Sequence, residues 1–259
     1  MTEVLLERSA RTLVVTINRP EARNALTRGV ILGLTKALES ATADVDVRCV
    51  VLAGAGGHFC SGADLRKNLM EDPDIGDKLD QYMDEYHALI RSVVRCPKPT
   101  VAMLEGAAVG FGADLALACD LRVASTTAYV QEKFVKIGLM PDGGGTFWLP
   151  RLVGTARAMR MILLAEKIEG RQLDELGLVV RVVDPSEVRA ATMAVARELE
   201  NGPPLAHAAI KNALYASWGD LEAALRRERE GQLRLLRTSD LMEGILAWAQ
   251  KRDPNFEGK

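Results

Sequence analysis

The sequence predicts an α/β protein that continues into an all-helical C-terminal region. Over the first 120 residues, short runs of β-branched and apolar residues alternate with longer segments whose apolar residues recur at helical spacing. From about residue 186 onward only helical patterns remain. Because no long linker separates the two parts, we expect the helical region to pack on the α/β core or on another subunit.

The elements of the α/β part follow from local signals. The segment TLVVTI is β-branched and apolar, and the turn signal Asn18-Arg19-Pro20 follows it. Thr27 is a candidate N-cap for the next helix, and Pro97 ends a later one. The predicted elements are a strand over 12–17, a helix over 30–41, a strand over 48–52, a helix over 75–94 and a strand over 100–104.

Four consecutive helices are predicted after the α/β part. Asp240, with Glu243 three residues later, has the spacing of a capping box and predicts the start of the last helix. The four helices are predicted over 188–199, 205–218, 221–236 and 241–251.

Composition and charge exclude several classes of function. The chain has 259 residues, and 33 Lys and Arg against 35 Asp and Glu leave no basic surplus for nucleic-acid binding. The N-terminal segment lacks the pattern of a signal peptide, and no apolar run is long enough for a membrane span. Four dispersed cysteines and three distant histidines predict neither disulfides nor a metal site. We therefore expect a cytoplasmic protein that binds neither nucleic acid nor membrane.

Three glycine-rich stretches, 54–64, 106–112 and 138–145, indicate places where the backbone approaches another group closely. Neither the dinucleotide-binding pattern nor the P-loop pattern is present. The second stretch leads into a helix over 112–119, whose first amides lack intrahelical acceptors. With an amide from the Gly62-Ala63 turn they form a candidate two-donor oxyanion hole. Tight turns and close packing explain the glycines equally well.

The candidate acids are Asp114, in the first turn of this helix, and Asp142, in the segment MPDGGG. Each is either a catalytic carboxylate or an ordinary helix N-terminal charge. A serine nucleophile is disfavoured because Ser61 lies in FCSGAD and not in a GxSxG elbow. His87 and His207 are expected on a helix surface or at an interface.

The order of motifs resembles the crotonase (enoyl-CoA hydratase/isomerase) superfamily over essentially the whole chain. The resemblance implies a ClpP-like spiral of ββα units over 1–195, a helical trimerisation region over 196–259, and a homotrimer or hexamer. It also implies an acyl-CoA thioester substrate and no further cofactor. The matching segments are INRPEARNAL (17–26), HFCSGADL (58–65), PTVAMLEGAAVGFGADLALACDLRVAS (99–125), KIGLMPDGGGTFWLPRLVGTARAM (136–159) and FEGK (256–259).

The resemblance assigns roles to individual residues. The thioester carbonyl is expected between the backbone amides of Ala63 and Phe111, which the glycine pattern had already indicated. The residues expected to contact coenzyme A are Ala22, Arg23, Ala25, Arg66, Phe256 and Lys259.

The acids depart from the hydratase pattern. Typical hydratases carry two glutamates, and the matching positions here are Asp114 and Phe134. Asp142 instead matches the aspartate of dienoyl-CoA isomerases and chlorobenzoyl-CoA dehalogenases. The C-terminal half looks closest to the phenylacetate-pathway epoxyphenylacetyl-CoA isomerases, with Phe134 in the acyl pocket.

The resemblance therefore favours an isomerase of an unsaturated or ring-epoxide acyl-CoA, with Asp142 as the base and Asp114 as a second catalytic acid that returns the proton or orients Asp142. The alternatives are a hydratase in which Asp114 and Asp142 hold the water, and a non-catalytic acyl-CoA-binding subunit.

Overall fold

Two β-sheets form the centre of the fold. The computed structural model describes residues 2–71, 75–217 and 221–255, and within these ranges the larger sheet has six strands and the smaller three. The strands are β1 (Val4–Ser9), β2 (Thr12–Ile17), β3 (Cys49–Gly54), β4 (Thr100–Leu104), β5 (Ala107–Val109), β6 (Leu121–Ser125), β7 (Tyr129–Gln131), β8 (Ile168–Glu169) and β9 (Arg181–Val183).

The larger sheet has the order β1-β2-β3-β4-β6-β9, and the smaller has the order β5-β7-β8. β1 pairs antiparallel with β2, and the remaining pairs of the larger sheet are parallel. The predicted strands over 12–17 and 100–104 are confirmed. The strand predicted over 48–52 instead begins at Cys49 and continues to Gly54.

The helices surround the larger sheet and continue into the C-terminal region. They are α1 (Arg28–Ala43), α2 (Ile75–Arg95), α3 (Phe111–Ala118), α4 (Gly145–Val153), α5 (Thr155–Leu163), α6 (Arg171–Glu175), α7 (Val188–Glu200), α8 (Pro204–Ser217), α9 (Leu221–Leu235) and α10 (Ser239–Gln250).

One helix cap is confirmed and another prediction is wrong. Thr27 caps α1, because its hydroxyl accepts the N–H of Val30 at 3.2 Å. The cap of α10 is Thr238 and not Asp240, because Thr238 has extended backbone angles and its hydroxyl accepts the N–H of Leu241. Asp240 is already inside the first turn, where its charge favours the helix N-terminus without capping it.

The core lies on both faces of the larger sheet. Because successive strand side chains point to opposite faces, Val14 and Val51 pack with α7, whereas Val15 and Leu52 pack with α1 and α2. The predicted packing of the helical region on the core is found for α9, which contacts α2 and α4. The expected boundary after residue 195 falls inside α7, and the division into two domains stays a prediction.

The sheet order brings two loops to one edge. β3 and β4 are parallel neighbours, so the chain leaves both strands at the same end of the sheet. The loop after β3 then meets β5 through a bridge between Cys60 and Ala108. Within the described ranges, no helix is long and apolar enough to cross a membrane.

Candidate active site

The amides of Ala63 and Phe111 follow two glycine turns that contact each other. Gly62 and Gly110, which precede them, have φ values of +93° and +54°. Non-glycine residues rarely adopt such angles, and here they set the direction of the N–H that follows. A methyl group added at Gly62 would lie 3.7 Å from the Phe111 nitrogen, so the two turns are in contact.

Both amides are available to a ligand. Among the described residues, neither N–H donates to a backbone or side-chain acceptor outside regular secondary structure. Phe111 opens α3, and an N–H in the first turn of a helix has no intrahelical acceptor. The Phe111 ring lies in the core, edge-on to the Tyr86 ring with centroids 4.5 Å apart. The two N–H groups, on turns that contact each other, are therefore a candidate two-donor oxyanion hole.

The loop expected to contact coenzyme A lies against the Ala63 turn. The Ser61 N–H donates to the Arg23 carbonyl at 3.0 Å, and the Ser61 hydroxyl donates to the Ala22 carbonyl at 3.2 Å. Leu26 forms a parallel bridge with Ala63. These bonds hold the loop and the oxyanion turn together, and they give the Ser61 hydroxyl a structural role.

Only some of the residues expected to contact coenzyme A lie together in the structure. Arg23 is exposed, Ala22 is half-buried and Ala25 is buried. Arg66 lies on a one-turn π-helix (Arg66–Met70), is exposed and pairs with Glu71 at 2.7 Å. Phe256 and Lys259 lie outside the described residues.

Asp142 lies in the loop before α4 and is held from two directions. The Gln232 amide on α9 donates to its Oδ2 at 2.8 Å, and the His87 Nε2 on α2 bonds with its carbonyl oxygen at 3.0 Å. Its Oδ1 has no hydrogen-bond partner in the part of the chain that the structure describes. Burial raises the pKa of Asp142 to about 7, and the Gln232 hydrogen bond opposes that rise.

The expected surface position of His87 is wrong. His87 is 1% exposed and packs on the inner face of α2. Burial lowers its pKa to about 4, so the imidazole is neutral near pH 7. Because a carbonyl oxygen only accepts, the hydrogen must be on Nε2, and His87 donates to Asp142.

Asp114 is buried beneath the Asp142 loop. It is 0% exposed in the first turn of α3, and its Oδ2 accepts the N–H of Gly143 at 2.9 Å. A methyl group at Gly143 would lie 2.6 Å from the Asp114 Cβ, so only glycine allows this approach. Asp114 therefore fixes the loop at Gly143, the residue directly after Asp142. Burial and nearby carboxyl groups raise its pKa well above the ordinary value.

The structure adds three residues that the sequence reasoning missed. Glu132, which follows β7, is 0% exposed, and burial raises its pKa to about 8. Glu228 and Gln232 project from α9 into the site, where Glu228 accepts the N–H groups of Gly144 and Thr146 at 2.7 and 3.1 Å. A signal existed for two of them, because 228 and 232 continue the inward spacing set by Leu221 and Leu225.

Phe134 lies beside the oxyanion turn. Its ring packs near Gly110, where an added methyl group would lie 3.7 Å from the Phe134 Cζ. An apolar ring therefore occupies the position matching the second hydratase glutamate. Among the described residues, no three His, Cys, Asp or Glu side chains are grouped as metal ligands.

The model of the family described as enoyl-CoA hydratase/isomerase matches residues 7–259. The chain belongs to this family. A probable enoyl-CoA hydratase of Rhodobacter capsulatus is 41% identical to it, with 95% of this chain and 94% of the relative covered. The 1,2-epoxyphenylacetyl-CoA isomerase of Escherichia coli is 35% identical, with 95% of each chain covered.

A solved enoyl-CoA hydratase structure from Mycobacterium avium subsp. paratuberculosis has 38% identity and a TM-score of 0.90, with 98% of each chain covered. The protein thus has the crotonase fold, and it is an enzyme of the enoyl-CoA hydratase/isomerase family. An acyl-CoA substrate is consistent with this membership. Relatives named as a hydratase and as an isomerase both match, so family membership alone does not determine the reaction.

Proposed function

We propose that this enzyme is an acyl-CoA isomerase in which Asp142 transfers a proton next to the thioester carbonyl. The observation that carries the proposal is the state of the Asp142 carboxyl. Its Oδ2 is fixed by Gln232 at 2.8 Å, whereas its Oδ1 meets no donor among the described residues. A base needs a lone pair that is free and a pKa near the working pH, and Asp142 supplies both.

The amides of Ala63 and Phe111 complete the step. Asp142 Oδ1 removes a proton from the carbon beside the thioester carbonyl, and the electron pair moves onto the carbonyl oxygen. The two N–H groups stabilise the negative charge on that oxygen. One such donor typically lowers the activation barrier by about 3 kcal/mol. The Asp142 carboxyl then returns the proton to another carbon of the conjugated system, so the double bond migrates and the mass is unchanged.

The substrate proposed is an unsaturated or ring-epoxide acyl-CoA. The epoxide is supported by the relative named 1,2-epoxyphenylacetyl-CoA isomerase and by the Phe134 ring beside the oxyanion turn. The loop of Ala22, Arg23 and Ala25 would lie along coenzyme A. A homotrimeric or hexameric assembly, a cytoplasmic location and the absence of a further cofactor remain predictions.

A hydratase is the second candidate, favoured by the relative named probable enoyl-CoA hydratase and by Asp114 at the first acid position. In that reaction Asp114 and Asp142 together would hold the attacking water. The burial of Asp114 and its bond to Gly143 speak against this role. Phe134 offers no second carboxylate.

Mass spectrometry in deuterated water distinguishes the candidates. The purified enzyme is incubated with crotonyl-CoA, a 3-enoyl-CoA, a dienoyl-CoA and an aryl-epoxide acyl-CoA, beside Asp142→Asn and the exposed-carboxylate control Asp184→Asn. We expect the acyl-CoA to isomerise or to take up deuterium without gaining a water molecule. This reaction should be lost in Asp142→Asn and kept in the control. Rapid gain of one water with crotonyl-CoA would instead establish the hydratase, and inactivity throughout would favour the non-catalytic subunit.

A further inference from the structure

Glu132 is a buried carboxyl group that the proposed reaction does not use. It directly follows β7 and is 0% exposed. Within the described part of the chain, neither of its oxygens meets an N–H or O–H donor. A buried carboxylate without a donor is strongly disfavoured, so the side chain must be neutral or share a proton.

The neighbour that can share it is Asp114. The two carboxyl groups interact electrostatically, and both lie against the backbone of Gly145. A methyl group added at Gly145 would lie 2.5 Å from Asp114 Oδ1 and 3.2 Å from Glu132 Oε1. Asp114 Oδ1, like the Glu132 oxygens, has no other partner among the described residues.

Two ionised carboxylates are both acceptors and repel each other, so they cannot form this contact. One proton between them removes the repulsion and supplies the missing donor, as in other buried carboxyl pairs. The other charged groups that face the pair are Glu228 on α9 and Asp142 in the loop before α4, which are carboxyl groups as well. Their charge also favours keeping the proton.

We propose that Glu132 is a positioning residue that holds one proton jointly with Asp114 and thereby keeps the Asp142 loop in place. Asp114 Oδ2 accepts the N–H of Gly143, the residue after Asp142, at 2.9 Å. While the pair is protonated, Asp114 stays at Gly143. When the proton is lost, repulsion from Glu132 displaces Asp114 and with it the loop. The inference rests on the proposed function only in taking Asp142 as the base.

The proposed role predicts that activity depends on the protonation of two different groups. Asp142 must be ionised to act, whereas the pair of Asp114 and Glu132 must keep its proton. Burial raises the pKa of both carboxyl groups of the pair, that of Asp114 well above its ordinary value, so the shared proton is released only at high pH. Activity should therefore rise through the titration of Asp142 and fall again when the pair loses its proton.

Glu132→Gln and Glu132→Ala test the proposal. The amide of Gln donates to Asp114 without a titrating proton and preserves the single negative charge of the pair. We expect Glu132→Ala to lose about tenfold or more in kcat, because a misplaced base costs up to about a hundredfold. Glu132→Gln should recover most of that loss and abolish the fall of kcat at high pH. Glu200→Gln, at a buried glutamate bonded to Thr12, is the matched control.

A high-pH fall that persists unchanged in Glu132→Gln would overturn the proposal. Infrared spectroscopy of the enzyme without substrate gives a second readout, because a protonated carboxyl has a carbonyl band that an ionised one lacks. The part of that band that persists above the titration of Asp142 should be present in the parent and in Glu200→Gln and lost in Glu132→Gln. If it behaves so while no substrate is isomerised, the proposed function has failed and the proton pair stands. If it is unaffected by Glu132→Gln, the pair is excluded.

Discussion

Replacing Gln232 with Met should raise the pKa of Asp142 and shift the acid limb of the pH–rate profile. Gln232 donates its amide to Asp142 Oδ2 at 2.8 Å, across 90 residues of sequence. Met is similar in length and unbranched, so it fills the same space between α9 and the loop. It offers no donor, and the buried Asp142 carboxylate would lose its side-chain partner.

The size of the shift follows from the hydrogen bond. A hydrogen bond to a charged group contributes about 1.5–3 kcal/mol, and each pKa unit corresponds to about 1.4 kcal/mol. The pKa of Asp142, which burial raises to about 7, should therefore rise by about one to two units. At pH 7 the ionised fraction falls from about a half to between about a tenth and a hundredth.

The measurement is kcat/KM for proton exchange or isomerisation between pH 5 and 9, in parent and variant, with the exposed Gln172→Met as control. The rising limb should move to higher pH in Gln232→Met alone. A Glu132→Gln background removes the high-pH fall and makes the limb easier to locate. An unchanged limb, or one displaced to lower pH, would show that Asp142 is not the group whose ionisation the rate follows.

Three further predictions concern the same site. Glu132 and Asp142 have raised pKa values in the folded state, so the folded state binds more protons than the unfolded state. The melting temperature should therefore fall as the pH rises from about 5 to 8, and less steeply in Glu132→Gln. A melting temperature that rises with pH in calorimetry would contradict this. His87→Ala leaves the Asp142 carbonyl without its donor and should cost about 1–3 kcal/mol in urea unfolding, with partial recovery in His87→Gln; equal stability of both variants with the parent would exclude the bond. Phe134→Glu places a carboxylate beside Gly110 and should increase 3-hydroxyacyl-CoA formation, detected by mass spectrometry, whereas Phe134→Gln should not.

The elements and the two glycine turns could be predicted because their signals are local. The hydroxyl of Thr27 bonds with the N–H three residues later, and the glycines before Ala63 and Phe111 act through their own backbone angles. The donors are backbone amides, so the site does not depend on the identity of the side chain. The proposed oxyanion role of the Phe111 amide is therefore compatible with a ring that packs against Tyr86.

The surroundings of Asp142 could not be predicted in the same way. Its partners His87 and Gln232 lie 55 and 90 residues away, on helices whose packing depends on the whole fold. The burial of His87 could nevertheless have been predicted, because His87 shares the apolar face of α2 with Met83 and Ile90. Glu132 carried no comparable signal, since a charged residue after a strand is normally solvated.

The assignment of Asp142 as the base also follows from how the site distributes its hydrogen-bond donors. Glu228 accepts two backbone N–H groups and the Thr146 hydroxyl. Within the described residues, Asp142 and Asp114 each accept one donor through a single oxygen, and Glu132 meets none. Donors stabilise the ionised form of a carboxyl, so Glu228 should ionise more readily than Glu132. Burial raises the pKa of both Asp142 and Glu228 to about 7, but both Glu228 oxygens already accept donors, whereas Asp142 Oδ1 meets none among the described residues. Asp142 is therefore the group of the two that has a lone pair free to take a proton from a substrate.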